Sequence, residues 1–231
     1  MEAPLLRFCH CCTVLPSGLI ATYPRIFHMA EASAWEGIQR HGLLSTGALV
    51  DLFETPDPRR NRLLAERRSD MTAVHHAVHG TALIRDNGPL SERKLAACLT
   101  DMTVPEFLRL INSKVFFWPT QKRLDTLFAA SAYRDRPHLI LTVDTASLLA
   151  SHADRVTLSP INSGATVHDA PKRGSDTFKS IADYDFEYWR TKRTRPTAVA
   201  EICVDHSVPD ITKHLVEAYV RHPDGSIQAV T

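Results

Sequence analysis

The stretch that most constrains this chain is Ala198-Val199-Ala200-Glu201-Ile202-Cys203-Val204, set between Pro196 and Pro209. Small and β-branched apolar residues in an unbroken run, stopped by proline at both ends, predict a buried strand. A sheet must be built around such a strand. Glu201 stands in the middle of the run. A carboxylate removed from water costs several kcal/mol unless it is paired, so Glu201 has a cationic partner or faces a pocket. The pattern leaves both readings open: a salt-bridged or edge-strand glutamate, or a functional carboxylate.

A chain of 231 residues can enclose one large core. With 44% apolar and 23% charged residues it has the balance of a globular protein. The net charge of +1 means that any basic footprint for nucleic acid must be local. No apolar run reaches the roughly 18 residues of a membrane span, and Leu5-Leu6-Arg7 is too short for a signal peptide. Cys98 and Cys203 sit in apolar periodic contexts and read as buried free thiols of a reducing compartment. The expectation is a cytoplasmic protein without membrane contact: an N-terminal extension over 1–22 and a single domain over 23–231.

The four adjacent side chains of Cys9-His10-Cys11-Cys12 cannot all converge on one ion, so no metal is expected there. Tyr23 to Met29 reads as a strand. Ser33 and Glu36 have capping-box spacing for the helix that follows, and Gly42 is a natural stop. A second amphipathic stretch ends at Phe53. Beyond Pro56 and Pro58 come Arg59, Arg60, Arg62, Arg67 and Arg68, either a solvated helix face or a set of phosphate-binding cations. His75 and His79 would share a helix face, but the flanking valines and Gly80 make a helix doubtful and no zinc is expected. Arg85 closes an apolar run before an Asp-Asn-Gly turn.

Helices are expected over 91–111, the second of them capped by Thr103, before the aromatic strand Lys114 to Trp118 and a helix after Pro119. Phe116 and Phe117 point to opposite faces, so at most one lines a pocket. His138 to Asp144 is a buried strand leading into a helix capped by Asp144 or Thr145. Val156 to Ser159 is another strand, followed by a small-residue turn that can bring backbone N–H groups to a ligand. Residues 166–197 read as irregular. There Arg173, Arg190, Lys192 and Arg193 alternate with Tyr184, Phe186, Tyr188 and Trp189, as in a surface that holds phosphates and stacks bases, or a loop that packs its own aromatics. No Gly-x-Gly-x-x-Gly is present, which argues against a Rossmann dehydrogenase.

Separated patches, in order, resemble the DarT-type ADP-ribosyltransferases. They are the strand ending near His28 with its helix and Gly42-Leu43-Leu44-Ser45, the arginines after it, the strand Val115-Phe116-Phe117-Trp118 turning at Pro119, and Ala200-Glu201-Ile202 followed by Val208-Pro209-Asp210-Ile211. The resemblance implies an α+β fold with an ADP-ribosyltransferase-like split antiparallel β-sheet core and surrounding helices. It implies that Glu201 is catalytic, aided by Arg67 or Arg68. His28, Arg85, Phe117 and Ser45 would bind NAD, which is substrate rather than redox cofactor, with no metal. Arg173, Arg190, Lys192, Arg193 and Trp189 would hold a nucleic acid. The activity implied is that of a bacterial mono-ADP-ribosyltransferase modifying a nucleic-acid base, with DNA the first choice and RNA, protein or a small molecule open, and with an antitoxin or hydrolase as possible partner. The sequence departs from the family in a longer middle over 70–112, in Trp118-Pro119-Thr120, and in the basic stretch. Those departures leave room for a non-catalytic NAD- or nucleic-acid-binding module, or for an NAD glycohydrolase.

Overall fold

Two four-stranded antiparallel sheets carry the fold in the computed structural model, which describes residues 17–167 and 170–230. The run from Cys9 to Cys12 lies outside the described residues. The chain enters through α1 (Ser17–Thr22), whose Leu19 is buried in the main core, so 17–22 are packed structure rather than extension. β1 (Arg25–Glu31) leads to α2 (Trp35–His41). Ser33 does not cap α2, because a 3-10 turn over Ala32–Ala34 feeds straight into it. Gly42 does end it, at φ 75°, where a Cβ would lie 2.4 Å from the backbone of Val208 and Pro209.

β2 (Leu43–Leu44), α3 (Thr46–Leu52) and α4 (Arg59–Ala65) follow. β3 (Thr72–His76) and β4 (Gly80–Ile84) form a hairpin, so His75 and His79 share no helix face. Next come α5 (Glu92–Cys98) and α6 (Val104–Asn112), the latter held by a Thr103–Glu106 capping box. β5 (Lys114–Phe117), α7 (Gln121–Phe128) and β6 (His138–Asp144) precede α8 (Thr145–His152), which Asp144 caps. After β7 (Val156–Ser159) and β8 (Lys179–Ser180), α9 (Phe186–Lys192) forms inside the stretch read as irregular, capped by Asp185. β9 (Glu201–Asp205), β10 (Ser207–Val208), β11 (Leu215–Arg221) and β12 (Ile227–Ala229) complete the α+β fold.

One sheet runs β1-β6-β11-β12 and the other β5-β9-β7-β8. They touch through the pair Phe27 and Trp118, which exchange backbone hydrogen bonds of 2.9 and 2.7 Å. His28, the next residue of β1, bonds through Nδ1 to the Phe116 carbonyl at 2.9 Å, so an imidazole takes up a carbonyl where the ladder stops. Leu139, Leu141 and Val143 of β6 join Val115, Phe117, Ile202 and Val204 in the main core. Ile140 faces α7 and Cys203 faces α5 and α6. Both faces of β6 and β9 are therefore covered, which explains their unbroken apolar runs. Cys98 and Cys203 are buried free thiols. Among the described residues no helix is long and apolar enough to cross a membrane.

Candidate active site

Glu201 opens β9 rather than occupying its middle. The preceding Ala198, Val199 and Ala200 are buried without being a named strand, because other groups satisfy their backbone. The Tyr184 hydroxyl donates to the Ala198 carbonyl at 2.6 Å, the Val199 amide donates to the Tyr23 hydroxyl at 3.0 Å, and the Ala200 amide to the Ser159 carbonyl at 2.8 Å. Alternation along β9 puts Ile202 and Val204 into the main core and turns Glu201 with Cys203 to the other face.

There Glu201 is 2% exposed. Its Oε1 accepts from the Ser163 amide at 3.1 Å, and its Oε2 has no hydrogen-bond partner. Burial pushes the carboxyl up to about 7, against the pull of Ser163 and of the Arg123 and Arg173 guanidiniums. Arg123 Nε, Arg173 Nη2 and the Ser163 hydroxyl are likewise buried without a hydrogen-bond partner, although the hydroxyl is near enough to Glu201 to favour its charge. Buried polar atoms are nearly always paired, so unpaired donors and acceptors around one carboxylate mark a place for a polar ligand or ordered water. Beside them lies a cleft of about 460 Å³, bordered by Arg123 and Arg193 and by Pro160, Ile161, Ala165 and Ala200. Glu201 is not in that border; its neighbour Ala200 is.

His28 belongs to a different polar group. Burial, opposed by the Phe116 carbonyl, holds its imidazole down to about 4, and Arg85 adds to the lowering. The carbonyl can only accept, so Nδ1 carries the hydrogen and Nε2 is left as an acceptor. Arg85 lies over the Tyr133 ring at 4.8 Å, with Nη2 buried and unpaired. The charged neighbours of Glu201 are Arg123 and Arg173, and that of His28 is Arg85.

Several expected site residues take other roles. Arg68 is spent on structure: it donates to the carbonyls of Leu63 and Arg85 and, at 3.0 Å, to Asn112 Oδ1. Arg67 donates to the Leu90 and Gly88 carbonyls. The Arg68 guanidinium is buried and fully engaged, whereas Arg67 is exposed and holds these carbonyls through Nε and Nη2. The Ser45 hydroxyl caps α3 by accepting from the Ala48 amide at 3.1 Å. Phe117 is fully buried in the main core, 5.8 Å from the His28 ring, and leaves no face to a ligand. Arg173 is 3% exposed and holds the Ser163 and Pro171 carbonyls, so it is no part of an outer surface. The other basic residues expected at a nucleic acid lie on α9 and at its C-cap. Arg190 lies over Phe186, Lys192 over Tyr188 and Arg193 over Trp189, with Arg190 also paired to Glu187. Arg193 reaches the cleft and donates to the Pro160 carbonyl.

Sequence reading missed Arg123. The signal was there, since Thr120 is an N-cap and puts Arg123 in the first turn of α7, directly after the strand beside β9. It also missed His152, Asp210 and His214, whose ligand atoms lie within 4.8 Å of one another. Arg155 donates to His152 Nδ1 at 2.6 Å, so the ring hydrogen sits on Nε2 and points at Asp210 Oδ1, 2.7 Å away. A metal needs that nitrogen bare and the other one protonated, so this cluster is built as a hydrogen-bonded anchor. Residues 24–215 match a family of unknown function, DUF7002, while no curated protein and no solved structure matches the chain.

Proposed function

The chain belongs to the DUF7002 family, and we propose that it is a mono-ADP-ribosyltransferase that cleaves NAD and transfers ADP-ribose to a nucleic-acid base, DNA in the first place. The observation that carries this reading is the set of unpaired buried polar atoms around Glu201, next to a cleft with two guanidiniums on its border. The parting of β1 and β5 beside His28, with Glu201 at the head of the strand next to β5, supports an ADP-ribosyltransferase-like split-sheet core.

In the proposed reaction the bond between ribose C1′ and the nicotinamide nitrogen breaks, and nicotinamide leaves neutral with the electron pair. The ribose passes through an oxocarbenium-like state of the kind glycosidases use. Glu201 Oε2, the unpaired oxygen, accepts from a ribose hydroxyl and stabilises the growing positive charge. A ring or exocyclic nitrogen of the acceptor then bonds to C1′, and its proton passes to Glu201, whose raised pKa suits a general base near neutrality. Arg123 and Arg193 replace Arg67 and Arg68 as the cations for the pyrophosphate. His28 Nε2 accepts from a hydroxyl of NAD. The stacked cations of α9 hold the acceptor strand, where Tyr188 is exposed.

The test is incubation with NAD alone and with single-stranded DNA, double-stranded DNA or RNA, followed by mass spectrometry for nicotinamide and for an ADP-ribose adduct. An adduct on a nucleic acid that vanishes in Glu201→Gln supports the reading. Nicotinamide without any adduct makes the protein a glycohydrolase, and no product together with no NAD binding by calorimetry removes the reading.

A further inference from the structure

The buried guanidinium of Arg173 is in an unusual position for an arginine from a basic stretch. Its Nη1 donates to the Ser163 carbonyl at 2.6 Å and its Nε to the Pro171 carbonyl at 3.1 Å. The amide of that same Ser163 donates to Glu201 Oε1 at 3.1 Å. A chain thus runs from the guanidinium through the backbone of Ser163, carbonyl on one side and amide on the other, to the carboxylate, and it ends on the one Glu201 oxygen that is satisfied.

The base of the chain is fixed. The Arg173 amide donates to the Cys98 carbonyl and the Thr100 amide to the Arg173 carbonyl, both at 3.0 Å, which makes a bridge between Leu99 and Arg173. At Gly174 an added Cβ would lie 2.0 Å from Asp101 Oδ1 and 2.5 Å from Thr100 Oγ1, so these two side chains close directly on the glycine backbone. Upstream, Thr166 is tied to Pro89 and Ser91. Ser163 lies three residues before the Thr166 anchorage, and the Arg173 guanidinium holds its carbonyl from the far side of the loop, which restrains the Ser163 backbone on whose other peptide the amide sits.

We propose that Arg173 is a positioning residue for Glu201: by gripping the carbonyls of Ser163 and Pro171 it presents the Ser163 amide to one carboxylate oxygen and thereby leaves the other for the substrate. The role rests on the reading of Glu201 as the catalytic carboxylate. It requires a planar fork that reaches two carbonyls at once, which a lysine ammonium on a flexible stem does not reproduce. The proposed role acts through Ser163, and the second cationic effect of Arg173, its pull on the Glu201 charge, survives in a lysine.

The experiment uses the full chain as wild type, Arg173→Lys and Arg173→Met. NMR follows the Glu201 carboxyl carbon, assigned with Glu201→Gln, and the Ser163 amide. In the wild type the Ser163 amide shift should track the Glu201 titration with the same midpoint. In Arg173→Lys, with the sheet resonances retained, Ser163 amide exchange should speed up and kcat for nicotinamide release should fall about 100-fold, with KM changed less than about threefold. A folded lysine variant that keeps Ser163 amide protection and kcat overturns the proposal. If both variants fail to fold, the wild-type amide decides alone, and a Ser163 shift blind to the Glu201 titration overturns it. If the wild type releases no nicotinamide, the transferase reading falls, and the Ser163 and Glu201 resonances of the lysine variant still decide whether the clamp exists.

Discussion

The arginine cluster at Arg68 and the one around Glu201 are finished to different degrees. Around Arg68 the nitrogens are assigned: Leu63, Arg85 and Asn112 take its protons, and Asn112 in turn donates to the Leu64 carbonyl at 2.9 Å. This cluster ties α4 to α6 and to the turn after β4. Around Glu201, by contrast, Arg123 Nε, Arg173 Nη2, the Ser163 hydroxyl and Glu201 Oε2 remain unpaired. A closed network rigidifies and an open one costs free energy until something fills it. The same residue type therefore serves structure in one place and reception in the other, and saturation, not burial, tells them apart.

The sharpest way to break this contrast is at the open cluster. Glu201→Gln keeps the shape and removes the charge, and nicotinamide release from NAD should fall about 10³-fold. At pH 8 the same substitution should stabilise the fold by about 3 kcal/mol, because ionising the buried carboxyl there costs free energy. Chemical denaturation of both proteins checks this, and a destabilised Gln variant would mean that the charge is paid back by partners.

At the closed cluster the direction reverses. Arg68→Met strands the carbonyls of Leu63 and Arg85, and stability should drop by roughly 3 kcal/mol. Arg123→Met at the open cluster should cost less than about 1 kcal/mol and weaken NAD binding about 30-fold by calorimetry. Equal stability losses at Arg68 and Arg123 would erase the distinction.

Smaller effects concern pH. The Glu201 pKa is raised from 4.5 to about 7, so its contribution is fully present below 4.5 and is lost as pH rises through 7. The His28 pKa is lowered from 6.5 to about 4, so stability on its account is lost as pH falls from 6.5 towards 4. The slopes oppose each other where the two windows overlap. Glu201→Gln should unmask a rise in stability with pH in that overlap, and His28→Asn a fall, both read from denaturation midpoints at fixed ionic strength. The smallest effect is expected on the rim: Lys192→Ala should weaken single-stranded DNA binding about threefold and lower the salt slope by about one.

Local chemistry made part of this legible in advance. The buried strands followed from apolar runs, the start of α6 from Thr103, the end of α2 from Gly42, and the oddity of Glu201 from one charge in an apolar strand. What stayed hidden was tertiary. The carbonyl partners of Arg67 lie more than twenty residues away, so nothing near it in the chain announces that two of its nitrogens hold the 88–90 turn. Arg173 looked like its basic neighbours, since only the bridge to Leu99 turns it inward. Parity along β5 set Phe116 and Phe117 on opposite faces but could not say which face is solid core.

The strand order has a consequence for synthesis on the ribosome. β9 lies between β5 and β7, both of which are made before it. Until residue 205 has emerged, the second sheet has a gap at its centre and Ser163 has no carboxylate to meet. A nascent or prematurely released chain would expose two unpaired strand edges while lacking the Glu201 site altogether. The chemistry proposed here would then begin only after β9 has been made.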